Sequence, residues 1–345
     1  MEAPITIPIQ FEDFWYVVAL SEQLTPTAVL QRTVLDEWLV IFRGDNGQPV
    51  ALRDRCLHRN TRLSGGTVRQ GTLHCPYHGW QYDKTGHVVS VPAEGNNNFV
   101  SNRCAKAYDT CEQDGYIYVR LRGTLDHQPF AIPHYKDSGW ETVRVVNRFA
   151  NSVTNCAENF IDIPHTVSVH PGIFRTARQQ QLAMTVTRQQ GSVIATYRNE
   201  TNNLGWSRWF LNPGGHEIYH RDSFHMPNVT SVEYAMGPYR RCFITSQSIP
   251  ESENSTLVYT DVTFNYGIWT RLAKPLVRWT AQRIIDQDVA VLGVQGEAIS
   301  KYGTQFHHTP ADTIHVWVES IRDAIANGID PRTLPDRSTD VTFWV

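Results

Sequence analysis

The sequence predicts an α+β chain of two domains, a small antiparallel β-domain first and a mixed domain with a long helix second. Three observations carry this. The chain has 345 residues, long for a single core. Its first third consists of short β-prone runs cut by turn-formers. Ile268–Ser300 carries apolar residues at helical spacing.

Thr33–Arg43 (TVLDEWLVIFR) is apolar and β-prone, the turn-formers Gly44-Asp45-Asn46-Gly47 follow, and Val50-Ala51-Leu52 completes a hairpin. Tyr82–Val91 reads as a second hairpin through Lys84-Thr85-Gly86, and Tyr116–Leu121 as another strand. Gly123–Gly139 mixes Gly, Pro, His and Asp and reads as the linker, so the domains are expected at 1–135 and 136–345. Beyond it, Val143–Phe149 and Ser192–Tyr197 read as strands. The long helix repeats Leu276, Ile284, Ile285, Val289 and Leu292, with Pro275 marking a start or kink. Thr313–Ala326 reads as a final helix with Asp312 as its N-cap.

A net charge of −3 gives no basic surplus for nucleic acid and no charged block for a disordered tail. The N-terminus lacks the basic start and apolar run of a secretory signal, and no apolar stretch is long enough to cross a bilayer. The expectation is a soluble cytoplasmic protein without nucleic-acid or membrane partners. In such a chain, a local Cys/His cluster among the six cysteines points to metal more than to disulfides.

That cluster is Cys56-Leu57-His58, followed after sixteen residues by Cys75-Pro76-Tyr77-His78. Each short motif offers one thiolate and one imidazole. Thiolates hold Fe–S clusters, and a Rieske centre replaces two of them with histidines on one iron. The natural partition gives Cys56 and Cys75 to one iron and His58 and His78 to the other. Each pair follows a predicted strand, so two facing loops can clamp a cluster, with Gly65-Gly66 and Gly79 supplying tight backbone. Zn²⁺ also accepts two Cys and two His, but its usual spacing pairs Cys with Cys and His with His. His74 adjoins Cys75 on a strand and points the other way. Cys104 and Cys111 have no matching His and read as buried structural thiols.

A second constellation runs from Asn159 through Asp162 and His165 to His170. Two His and one carboxylate, with positions left open, make the facial triad of non-heme Fe(II) oxygenases. Asp162 and His165, three apart, share a helix face. His165 and His170, five apart, do not, and Pro164 and Pro171 disfavour a continuous helix, so a broken helix is expected. The third ligand must come from elsewhere. Asp286, Asp288 and Glu297 lie on the long helix, where a buried acid is costly unless paired or bound to metal. Spacing does not choose between Asp286 and Asp288.

Together, Cys56-Leu-His58, Cys75-Pro-Tyr-His78-Gly-Trp80 and Asn159-x₂-Asp162-x₂-His165-x₄-His170 resemble the Rieske non-heme iron oxygenases, specifically their catalytic (alpha) subunits. Gln287-Asp288, Gln295, Asp312 and Arg322 also look like this family. Asn60 departs from it, standing where the family usually has Gly, with an expected effect on the turn alone. The resemblance implies an N-terminal Rieske [2Fe–2S] β-domain and a helix-grip, START-like catalytic domain with an antiparallel sheet and long helix. It implies mononuclear Fe(II) on His165, His170 and Asp288, with Asn159 and Asp162 as catalytic residues. Asp162 then bridges His165 to the neighbouring subunit's His78, the second-shell carboxylate that orients a metal-bound His. It implies a homotrimer, because in such proteins the cluster lies too far from the iron within one chain.

The implied activity is that of a terminal oxygenase. Electrons come from a separate NAD(P)H-dependent reductase or ferredoxin, since no G-x-G-x-x-G follows a predicted strand here. They pass through His78, Asp162 and His165, and O₂ then oxidises a small organic substrate. Trp206, Trp209, Phe210, Tyr219, Phe224 and Met226 are candidate pocket aromatics and apolars, with core packing the expected role for most. A ring-bearing substrate and hydroxylation or demethylation are expected. The alternatives are cis-dihydroxylation of an aromatic ring, or a Rieske electron carrier, which would need only the first constellation.

Overall fold

Among the described residues, ten short strands and eight longer ones follow the two sequence patterns in turn. The structure is a computed structural model describing residues 8–95, 102–123, 125, 127–171, 180–198, 200, 212, 214–237 and 240–345. Contacts divide it into Gln10–Ala131 and a second unit of Ile132–Val345 with Pro8 and Ile9.

The first unit contains β1 (Tyr16–Leu20), β2 (Leu30–Val34), β3 (Glu37–Arg43), β4 (Pro49–Arg53), β5 (Thr67–Arg69), β6 (Thr72–His74), β7 (Gln81–Tyr82), β8 (Val88–Ser90), β9 (Ala107–Gln113) and β10 (Tyr116–Arg120). They form a six-stranded sheet, β1-β10-β9-β4-β3-β2, and a four-stranded one, β5-β6-β7-β8. The hairpins expected around Gly44–Gly47 and Lys84–Gly86 are β3–β4 and β7–β8. The single strand expected at Thr33–Arg43 is instead broken. Leu35 and Asp36 both have positive φ, 51° and 61°, and Val34 pairs with Glu37. That is a two-residue hairpin turn, hidden because Leu-Asp lacks the Asn-Gly signature of its type. Cys56, Cys75, Trp80 and Tyr82 belong to the same buried cluster as Val40, Phe42 and Leu52. Cys104 and Cys111 do not become buried thiols. Cys104 is exposed beside its bridge to His87, and Cys111 is half-buried on β9, a strand with mostly exposed or half-buried side chains.

The second unit contains β11 (Glu141–Phe149), β12 (Gln181–Gln189), β13 (Ser192–Arg198), β14 (Ile218–His225), β15 (Val229–Met236), β16 (Arg241–Ser252), β17 (Ser255–Asn265) and β18 (Arg337–Trp344). They form one antiparallel sheet, β11-β17-β16-β15-β14-β13-β12-β18. Among the described residues, four helices accompany it: α1 (Val153–Asn159), α2 (His165–Val169), α3 (Thr270–Tyr302) and α4 (Thr313–Ala326). Along α3, Ala273, Val277, Ala281, Ile285, Val289 and Leu292 recur every three or four residues. They pack against Val143, Val145, Val262 and Phe264 of β11 and β17. Each large aliphatic chain so buried contributes about 1.5–3 kcal/mol. Gly296 lets α3 approach the turn before α1, since a Cβ there would lie 2.2 Å from the Ala150 carbonyl oxygen.

Pro275 is not the start of α3, which begins at Thr270 and holds the proline within its second turn. The final helix has the expected bounds, but Asp312 does not cap it through its side chain. Its Oδ2 instead accepts from the Thr309 backbone N–H at 2.6 Å and hydroxyl at 2.7 Å, fixing the turn before α4. Among the described residues, no helix is long and apolar enough to cross a membrane.

Candidate metal centres

The two Cys/His loops are built alike. Cys56 N–H donates to Thr61 O at 2.8 Å, and Cys75 N–H to Trp80 O at 2.8 Å. The fourth residue after each cysteine returns a bond to the cysteine carbonyl, Asn60 at 3.0 Å and Gly79 at 3.2 Å. Both closing residues are left-handed, at φ 60° and 71°. Glycine suits that conformation, and asparagine is among the few others that visit it. Asn60 is further held by its Oδ1, which accepts from Arg55 Nε at 2.8 Å.

The loops place both sulfurs inward and the imidazole rings nearer the surface. Cys56 and Cys75 are buried, His58 is half-buried and His78 is exposed. The imidazoles face each other with ring centroids 4.4 Å apart, and Trp80 stacks on His58 at 4.9 Å. The Tyr82 hydroxyl sits 3.2 Å from Cys56 Sγ and accepts from Leu57 N–H at 3.0 Å. Burial and the neighbouring Cys56 hold that phenol well above its usual range, so it stays a neutral donor toward sulfur. His58 Nδ1 is buried without a hydrogen-bond partner among the described residues. Two thiols and two imidazoles, one nitrogen buried and unsatisfied, fit a mixed-ligand [2Fe–2S] cluster.

The second constellation lies on the expected broken helix. Ser152 caps α1, its hydroxyl accepting from Asn155 N–H at 3.3 Å, and the chain turns through residues 160–164 before α2. His165 and Asp162 stay paired, Nδ1 to Oδ2, at 3.3 Å. His170 follows the end of α2, with Nδ1 2.9 Å from Gln287 Oε1 of α3. These contacts assign both Nδ1 atoms as donors and leave both Nε2 lone pairs facing inward. Asp288 meets them there. Its Oδ1 lies 3.0 Å from His170 Nε2 and 3.6 Å from His165 Nε2. The three ligand atoms lie within 4.8 Å of one another.

Asp288 is 3% exposed and sits in the apolar stripe of α3, between Ile285 and Leu292. Asp286 points outward and accepts from Gln282 Nε2 at 2.8 Å, and Glu297 is exposed. Neither joins the group. Asn159 Nδ2 donates to Asp288 Oδ1 at 3.2 Å, while its own Oδ1 is buried without a partner among the described residues. Two imidazoles and a buried carboxylate match a divalent iron site with positions left open.

One side of this site faces a cavity of about 110 Å³, whose apolar lining includes Val232, Ile244, Val262 and Ile285. Its polar end holds His220 and Asp222, side chains that the sequence reading missed. His220 is buried, with Nδ1 2.8 Å from Glu200 Oε2 and Nε2 2.9 Å from Asp222 Oδ1. Tyr197 and Tyr234 stack on its two faces at 4.5 and 4.2 Å. Burial alone would push this imidazole down, but the Asp222 and Glu200 carboxylates more than offset that and raise it to about 9. The available signal was His220-Arg-Asp222 on one face of a strand, a charged pair at period two where burial demands pairing. Phe224 is fully buried core, Tyr219 is exposed, and neither they nor Met226 line the cavity. Trp206, Trp209 and Phe210 lie outside the described residues.

A second cavity, of about 400 Å³, lies across the same segment, and Asn159, Ile161, Asp162, Ile163 and His165 line both. The Asp162 side chain is 41% exposed, against 5% for Asp288.

Comparison with known proteins follows this division. Residues 14–109 match the Rieske [2Fe–2S] domain, and residues 151–320 match the vanillate O-demethylase oxygenase C-terminal domain. A methylxanthine N1-demethylase of Pseudomonas putida is 35% identical over 169 residues, 46% of this chain and 47% of that protein. The oxygenase component of a dicamba O-demethylase of Stenotrophomonas maltophilia is 31% identical over 184 residues, 52% of this chain and 54% of that one. The matched stretch thus spans about half the length of these curated relatives. In fold, dicamba monooxygenase bound to dicamba superposes with a TM-score of 0.80 at 23% identity, covering 92% of this chain and 98% of that one. With a Rieske domain and an oxygenase C-terminal domain in the same order, the chain belongs to the Rieske non-heme iron oxygenases, among their catalytic (alpha) subunits.

Proposed function

We propose that this protein is the terminal oxygenase of a multi-component system, taking electrons from a separate NAD(P)H-dependent reductase or ferredoxin and using O₂ to hydroxylate or oxidatively demethylate a small ring-bearing molecule. The observation that carries it is the meeting of His165, His170 and Asp288 beside a cavity, in a chain that also has a Rieske domain. An electron carrier has no use for the second site. The relatives' own names, N1-demethylase and O-demethylase, support demethylation.

Cys56 and Cys75 would hold one iron of the cluster, and His58 and His78 the other. His165, His170 and Asp288 would hold the mononuclear iron. When bound, the cluster supplies single electrons and the mononuclear iron binds and activates O₂. The chain's own groups prepare that chemistry. Gln287 and Asp162 fix the tautomers of His170 and His165, and Asn159 holds the Asp288 carboxylate. Asn159 and Asp162 thus act as positioning residues. The apolar cavity wall excludes water and accepts a ring. The Asp222–His220–Glu200 group offers one buried polar anchor, which suits a ring with a single hydrogen-bonding substituent.

Electron delivery runs between copies in a homotrimer. His78 is exposed, and the Asp162 carboxylate keeps open acceptor positions for the partner subunit's His78. The exposed apolar row of Leu272, Leu276 and Trp279 on α3 is surface that an assembly covers.

An iron count with a matched reductase tests this reading. We expect three irons per chain, a Rieske spectrum, and reductase-dependent O₂ uptake with a methylated ring compound. Asp288→Ala should hold two irons and take up no O₂. Two irons in the wild type, or uptake unchanged in Asp288→Ala, would overturn the proposal.

A further inference from the structure

Beside the 400 Å³ cavity that the 159–165 segment lines, a second set of metal-type side chains converges. His315 and Glu319 lie one turn apart on α4, and His308 approaches from the irregular segment between α3 and α4. One ligand atom from each lies within 4.8 Å of the others, as in the iron triad. The His308 and His315 rings are 5.0 Å apart.

The details repeat the logic of the iron site. His315 gives Nδ1 to the Glu158 carboxylate, as His165 gives Nδ1 to Asp162. That contact fixes the tautomer and leaves the Nε2 lone pair for a metal. His315 Nε2 lies 3.3 Å from Glu319 Oε1, yet it is buried and makes no hydrogen bond. An N–H aimed at that oxygen would bond at this distance, whereas two lone pairs aimed at a shared point would not. A tetrahedral Zn²⁺ with bonds of about 2.0–2.1 Å separates its ligand atoms by roughly 3.3 Å. Access is open, because His308 is exposed and the Glu319 side chain is 37% exposed. Glu158 Oε1 is buried without a partner among the described residues.

We propose that His308, His315 and Glu319 form a second, non-iron metal site that binds a zinc-type divalent cation, with Glu158 as the carboxylate that orients His315. A water completes the tetrahedron. The ion ties the segment after α3 to α4 and fixes the wall of the 400 Å³ cavity onto which Asp162 opens. This site is independent of the proposed oxygenase reaction.

The test uses the iron-loaded full chain, with zinc sulfate as the probe. After equilibration and dialysis, elemental analysis should find one zinc per chain beyond the iron, and zinc should raise the melting temperature. His308→Ala and Glu319→Gln should each lose that zinc and the thermal shift. Glu158→Gln should weaken binding by about 10- to 100-fold. Asp288→Ala should keep the zinc lost from the other variants, separating this site from the mononuclear one. A wild type that retains no zinc would show that Glu158, His315 and Glu319 form only an ion pair. Undiminished zinc in both His308→Ala and Glu319→Gln would place the ion elsewhere. Either result overturns the proposal.

Discussion

In the first unit each Cys/His loop closes on itself. Its cysteine amide and carbonyl are satisfied by residues four and five positions on, and its sulfur sits in the core. In the second unit no ligand is held that way. His165 opens a short helix and His170 follows it, Asp288 comes from the middle of α3, and side chains (Asp162, Gln287 and Asn159) set the aim of each. The first set of side chains is therefore built into the core of its unit, whereas the second is brought together by side-chain contacts between separate helices. The cluster and the cores should respond to mutation very differently.

The largest effect is expected where ligand and core coincide. Cys75→Ser should abolish the Rieske absorption and lower the melting temperature of the first unit by on the order of 10 °C, read by calorimetry. Retention of the visible spectrum would break the contrast. Asp288→Ala should remove turnover to below about 1% while leaving the cluster spectrum unchanged, and Asp286→Ala should do neither. Loss of the cluster in Asp288→Ala would show that the centres are not separately built.

Asp162→Asn should keep both metals yet slow reoxidation of the reduced cluster by roughly 10- to 100-fold, followed by stopped flow with substrate and O₂. Wild-type rates would remove Asp162 from the electron path. His220 sharpens the picture through pH. Its imidazole is raised above the unfolded value to about 9, so its stabilisation is complete below about pH 6.5 and lost as pH rises through 9. Melting temperature should fall with pH across that window in the wild type and fall less in His220→Gln. The smallest effect concerns the turn. Asn60→Gly should leave spectrum and stability nearly unchanged, whereas Asn60→Val should cost about 1–2 kcal/mol.

The same contrast explains what was legible in the sequence. The Cys/His quartet is local, so spacing alone was enough to propose its members, and the structure brings the two loops together. The break between α1 and α2 was legible because Pro164 and a five-residue His interval both oppose a helix. The choice of Asp288 over Asp286 came from family resemblance, yet the apolar row Ala281, Ile285, Leu292 already pointed to it. An acid three residues after one member of such a row and four before another is carried inward. What the sequence did not disclose depends on pairing across the sheet. Glu200 and His220 meet only because of tertiary packing. The Leu35-Asp36 turn was hidden for a different reason, since its left-handed residues are ones that sequence rules do not favour there.

The segment from Asn159 to His165 lines a cavity on each of its sides. Under the proposed function, a change there should alter substrate selectivity and electron supply together, because the same residues line both cavities. Val232, Ile244 and Val262 on β15, β16 and β17 line only the smaller cavity. An engineer seeking a new substrate should vary those residues, and a library confined to them should yield altered selectivity with the electron supply intact.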